Sequence, residues 1–67
     1  MKTIDKIKNK YEKRKWFNRI ENVNRIENGF YKKEYIIYAN YYPYTEDEEV
    51  LRFAKSMGIK ISVKALG

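Results

Sequence analysis

The dipeptide Asn28-Gly29 constrains this 67-residue chain more than any other feature. Both residues tolerate positive φ, and between two alternating apolar runs they specify a two-residue type I′ hairpin turn. Residues whose numbers sum to 57 then face one another, so Glu27 meets Phe30, Arg25 meets Lys32, Arg19 meets Tyr38 and Trp16 meets Tyr41. The alternation extends this hairpin over residues 16–41. Pleating sorts its side chains onto two faces. One presents Trp16, Ile20, Ile26, Tyr31, Tyr35, Ile37, Ala39 and Tyr41, with Asn22, Asn24 and Lys33 among them. The other presents Phe17, Arg19, Glu21, Val23, Arg25, Phe30, Lys32, Glu34, Ile36 and Tyr38. The first is assigned to the core, because a pleated strand buries one face at a time.

On either side of the hairpin the period is helical. From Thr3, the expected N-cap, to about Lys15, the apolar residues Ile4, Ile7 and Tyr11 fall on one stripe, with Lys2, Lys6, Lys10 and Lys13 opposite. Pro43 closes the second strand. Thr45 and Glu48 have the spacing of a capping box, which opens a helix over 45–57 with Val50, Phe53, Ala54 and Met57 as its buried face. Gly58 is placed to end that helix as its C′ residue. Residues 59–66 alternate as a half-buried strand. A repeated Asn-Arg-Ile-Glu-Asn at 18–22 and 24–28 is too short for a repeat architecture and follows from the low-diversity composition.

The expected architecture is a single α+β domain over 1–67, with a basic helix (1–15), the hairpin (16–41), a helix (45–57) and a strand (59–66). A helical crossover makes the last strand parallel to the second. Placed beside the first, it yields a three-stranded mixed sheet of spatial order 2-1-3, a two-layer sandwich with both helices on one face.

Composition narrows the function classes. Neither Cys nor His is present, so disulfides, thiolate nucleophiles, the commonest general base and the preferred zinc ligands are missing. The expectation is a non-enzymatic protein with no metal or cofactor. The acidic run Glu46 to Glu49 is accounted for as a helix start. No stretch approaches the roughly 20 apolar residues of a membrane span, and the first residues lack a signal peptide's apolar region, so a cytoplasmic location is expected. Abundant Lys, Asn, Ile and Tyr reflect A- and T-rich codons, as in a phage, archaeal virus or plasmid product; AT-rich cellular genomes share the bias.

The net charge of +6 is lopsided: residues 1–33 carry +7 and residues 34–67 carry −1. Such a basic half is the footprint of a protein that meets phosphate or an acidic partner. Two groups of candidates follow. Lys6, Lys10, Lys13 and Arg14 lie on the first helix, suited to a phosphate backbone. Arg19, Arg25, Lys32 and Lys60 lie on the open sheet face, where Phe30 and Tyr38 are placed to stack on unpaired bases. A hairpin follows the first helix where a helix-turn-helix reader needs a second helix, which disfavours sequence-specific major-groove reading.

The leading expectation is nucleic-acid binding through single strand or backbone. The alternative is a protein-directed inhibitor or adaptor, such as an anti-CRISPR-like product, docking the same face on an acidic host protein or nucleoprotein complex. A homodimer closed through the open sheet face is a third possibility. KH, RRM, zinc-finger and Walker A motifs are absent. Residues 44–49 with Leu51 look like the opening of a Myb-type helix, but Gly58-Ile59-Lys60-Ile61 turns to strand where the next Myb helix would begin.

Overall fold

Asn28 and Gly29 adopt φ of 54° and 79°, the left-handed pair that a type I′ turn requires. They join β1 (Phe17–Glu27) to β2 (Phe30–Ala39) in a computed structural model that describes residues 2–67. Met1, the first residue of the expected 1–15 segment, lies outside the described residues. The sum-to-57 register holds from Glu27–Phe30 to Arg19–Tyr38. It breaks at a bulge between Phe17 and Arg19, which pairs Phe17 with Ala39. The alternation places Phe17 on the open face; the extra residue resets the parity, and its ring packs against the buried cluster instead.

The strand order differs from the expected 2-1-3. The sheet runs β1-β2-β3, with β3 (Lys60–Ala65) parallel to β2, Glu34 opposite Lys60 and Ala39 opposite Ala65. The reason is legible in composition. Tyr35-Ile36-Ile37-Tyr38-Ala39 is a continuous apolar run, the signature of a central strand, whereas the matching part of β1 carries Arg19, Glu21 and Asn22 and suits an edge. A short crossover from β2 to β3 also places consecutive strands side by side.

The first helix, α1 (Thr3–Tyr11), starts after Lys2 rather than Thr3 and ends four residues before Lys15. Beyond Tyr11 the chain has only charged residues up to Trp16, and turns carry it back, with Phe17 N–H donating to the Arg14 carbonyl. The second helix, α2 (Asp47–Ser56), is capped by Glu46, not Thr45. Asp47 Oδ1 accepts the Glu48 N–H at 2.8 Å, the donor that the expected capping box assigns to the Thr45 hydroxyl. At its C-terminus Gly58 has φ of 68°, with Gly58 N–H bonded to the Lys55 carbonyl and Ile59 N–H to the Ala54 carbonyl. That pair of bonds is a Schellman motif, as the glycine predicts.

One buried cluster unites Ile7 and Tyr11 of α1, Trp16 of the following turn, Tyr35, Ile37 and Ala39 of β2, Val50 and Ala54 of α2, and Ile61 of β3. Each large side chain fully buried there stabilises by roughly 1.5–3 kcal/mol. Trp16 precedes the sheet, yet its ring sits 5.7 Å from Tyr11 and its indole N–H donates to Glu46. Asn40 closes the open end of the hairpin: its N–H donates to the Trp16 carbonyl, its side-chain amide to the Lys15 carbonyl, and its Oδ1 accepts from Asn18. Since β2 ends at Ala39, Tyr41 does not pair with Trp16 and is exposed, contrary to its expected core position.

The cluster covers only one end of the hairpin. Residues 24–33 are all exposed, including Ile26 at 75% and Tyr31 at 71%, both expected in the core. They are on the correct face of the pleat, but the buried cluster meets β2 only at Tyr35, Ile37 and Ala39, so the layer over the sheet stops short of them. An eleven-residue strand at about 3.3 Å per residue spans nearly the molecule's 37 Å long axis, so the hairpin sets that dimension.

Candidate nucleic-acid interface

The site is built on the side of the sheet that presents Glu34, Ile36 and Tyr38. Adjacent strands bring Arg19 and Arg25 of β1 and Ser62 and Lys64 of β3 to the flanks of these β2 residues. At its centre is Glu34, 7% exposed, whose Oε2 lies 3.2 Å from the Arg25 Nε and whose Oε1 accepts from the Ser62 hydroxyl at 3.3 Å. A carboxylate withdrawn from water needs such partners. Arg25 itself is well exposed.

The neighbouring Arg19 guanidinium lies 4.3 Å above the Tyr38 ring, with its Nε 3.4 Å from Glu21 Oε1. Cation–π contact of this kind holds the guanidinium over the ring. It also covers the ring: Tyr38, expected to stack on a base, carries Arg19 instead. Phe30, in contrast, is 73% exposed beside the turn and is free to stack. Lys32 pairs with Glu27 at 3.3 Å on the same arm. Lys60 stands opposite Glu34 in the ladder without an ion-pair partner among the described residues.

The candidates on the first helix divide in the same way. Lys10 Nζ is 3.8 Å from Glu49 and 4.9 Å from the Phe53 ring centre, so it bridges α1 to α2. Arg14, which lies past the helix in the turn, contacts Glu46 at 3.3 Å through Nε. The acidic run is therefore used inside the molecule. Glu46 holds Trp16 and Arg14, Asp47 accepts from the Tyr42 hydroxyl at 3.3 Å, Glu48 meets Arg52, and Glu49 meets Lys10. Lys6 and Lys13 remain exposed and make no ion pair among the described residues.

All four arginines, Arg14, Arg19, Arg25 and Arg52, are ion-paired, whereas among the described lysines only Lys10 and Lys32 are. Three of those arginine pairs are made through Nε, so the terminal amino groups are not the nitrogens in contact with the carboxylate. On the sheet side, the anchored Arg19 and Arg25 with the free Lys60 form a surface suited to phosphate.

Two tyrosines outside this surface have altered ionisation. Burial, then the Glu49 charge, pushes the Tyr11 hydroxyl up to about 12, and no described residue hydrogen-bonds it. Tyr42 is raised by desolvation first and by Asp47 second.

Sequence reasoning missed Glu34 as the organiser of the site, although the signal was present. In the sum-to-57 register Arg25 and Glu34 are diagonal neighbours on one face, within reach of long side chains. No known protein family matches the chain, and neither a curated protein nor a solved structure is significantly similar to it.

Proposed function

We propose that this chain is a small non-enzymatic protein that binds nucleic acid through its backbone, without sequence-specific major-groove reading. The reading takes both helices to cover the Tyr35 side of the sheet, leaving the Glu34 side as the contact surface. What carries it is the pair of exposed sheet arginines, each anchored beside a carboxylate through Nε, with exposed Phe30 and unpaired Lys60 on the same side. Lys6 and Lys13, on α1 and its following turn, add positive charge on the helix side of the sheet, apart from this surface.

Fluorescence anisotropy with labelled single-stranded DNA, duplex DNA and RNA at about 50 and 200 mM salt tests this, since a protein held by several phosphates drops by orders of magnitude in affinity over that range. Arg19→Ala with Arg25→Ala should weaken binding and reduce the salt slope by nearly two, one for each phosphate left without its cation. Arg25→Lys keeps a partner for Glu34 and controls for folding. Absence of binding at low salt refutes the proposal.

A second reading rests on a different observation, the exposed Ile26, Phe30 and Tyr31 near the hairpin turn. An apolar tip on a basic arm also suits a mobile-element inhibitor or adaptor docking on an acidic host protein. It gains support if nucleic acid fails to bind and replacing these three residues by Ser abolishes inhibition of a host nucleoprotein enzyme.

A further inference from the structure

The edge of β2 is unpaired from Phe30 to Lys33, because β3 starts only at Lys60, opposite Glu34. Between this free edge and the Gly58 turn lies a notch of about 600 Å³, within the range of small-molecule sites. Arg25, Lys32, Lys33 and Lys60 line it, and so does Tyr31, 71% exposed. Its two carboxylates are already engaged, Glu34 by Arg25 and Glu27 by Lys32. The balance in the notch is therefore positive, with Lys33 and Lys60 free of ion pairs among the described residues.

The backbone adds donors to these cations. In a two-residue hairpin the pair flanking the turn, Glu27 and Phe30, exchanges hydrogen bonds, and bonded and non-bonded pairs then alternate. Tyr31 and Lys33 occupy the non-bonded positions. Their N–H groups consequently point away from β1 toward the notch, beyond the reach of the first β3 pairing. Cations, two outward N–H donors and an exposed phenol ring are what a phosphorylated aromatic ligand needs: charge and donors for phosphate, a flat surface for a base.

We propose that the notch is a nucleotide subsite, in which Tyr31 stacks on one base of a bound strand while Lys33, Lys60 and the edge amides hold its phosphate. This deepens the nucleic-acid reading and rests on it. Tyr31 and Lys33 belong to the face assigned to the core from the sequence, so the subsite extends the interface around the strand edge.

Backbone amide NMR titrations of the full chain with AMP, adenosine and inorganic phosphate test it, alongside anisotropy with a single-stranded oligonucleotide. AMP is expected to shift the amides of Tyr31, Lys33, Gly58 and Lys60. Tyr31→Ala should weaken the oligonucleotide about tenfold or more, the loss of one stacked base. Lys33→Ala should weaken both AMP and the oligonucleotide. Both residues are exposed, and an unchanged spectrum elsewhere in the chain establishes that the fold is retained.

If the oligonucleotide binds with a steep salt dependence but AMP leaves these amides unmoved and Tyr31→Ala has no effect, the subsite is refuted and the broader reading stands. Shifts with phosphate equal to those with AMP, and unchanged oligonucleotide affinity in Tyr31→Ala, refute the base contact. Failure of every nucleic acid to bind removes both proposals together.

Discussion

The two ends of the hairpin belong to one strand pair and set apolar residues on the same side of the pleat, yet one end is structural core and the other a bare arm. Near the bulge, Ile37 and Ala39 are fully buried and Ile20 is half-buried; near the turn, Ile26 and Tyr31, on the same side of the pleat, are almost as exposed as in an unfolded chain. Pattern decides which way a side chain points. Whether anything meets it there depends on where the other elements stop, and here α2 and β3 leave residues 24–33 uncovered.

The largest expected effect tests that contrast directly. Ile37→Ala should cost about 2–5 kcal/mol in urea unfolding, as a buried Ile truncation does, while Ile26→Ala should change stability by less than about 0.5 kcal/mol. Similar losses at both positions would mean that the arm is packed in solution. Next comes Trp16→Phe, which retains most of the ring but removes the indole donor to Glu46; a loss of about 2 kcal/mol is expected, the value of a hydrogen bond to a charged group. An equal loss in Glu46→Gln would sharpen the assignment to that bond.

Smaller effects come from the two left-handed glycines. Gly58→Ala should cost about 1 kcal/mol, entirely from its φ of 68°, since a methyl group there meets no atom within 4 Å. Gly29→Ala imposes the same kind of strain at φ 79°, but on the arm, where the turn can open without disturbing the core. Global stability should therefore fall less for Gly29→Ala, with faster amide exchange confined to residues near the turn.

The smallest effect is of opposite sign. Tyr11→Phe removes a buried hydroxyl and should leave stability unchanged or raise it by about 1 kcal/mol. Because the Tyr11 pKa in the folded chain is raised from 10.0 to about 12, its contribution is intact below pH 10 and is lost as pH rises toward 12, where the unfolded chain has already ionised. Thermal unfolding of Tyr11→Phe should show less decline over that window than the parent.

Much of this fold is legible locally. Asn28-Gly29, Gly58 and the alternation of Ile59 to Ala65 fix a turn, a helix end and a strand by rules that act over a few residues. Strand order escapes those rules because adjacency depends on comparing the apolar content of whole strands, and β2 outranks β1 only when both its faces are counted. The helix ends differ from expectation because Asp47 takes the Glu48 N–H that Thr45 would cap, and because the chain turns back after Tyr11 to bring Trp16 against it. For the candidate site, the cation positions and the exposed Phe30 can be read from the sequence, whereas their pairing cannot. Arg19 on Tyr38, Lys10 on Glu49 and Arg14 on Glu46 depend on distances between elements that periodicity does not carry.

Each partner in the parallel β2–β3 ladder is 26 positions along the chain from its mate, from Glu34 with Lys60 to Ala39 with Ala65. Hairpin partners next to the turn, Glu27 and Phe30, are only three apart. Closing the longer loop costs more chain entropy, and α2 shortens that loop when it forms within it. The arm is thus expected to close from its turn first, with β3 adding later in folding. A mutation that weakens α2 should slow the arrival of the last strand while leaving the early closure of the arm untouched.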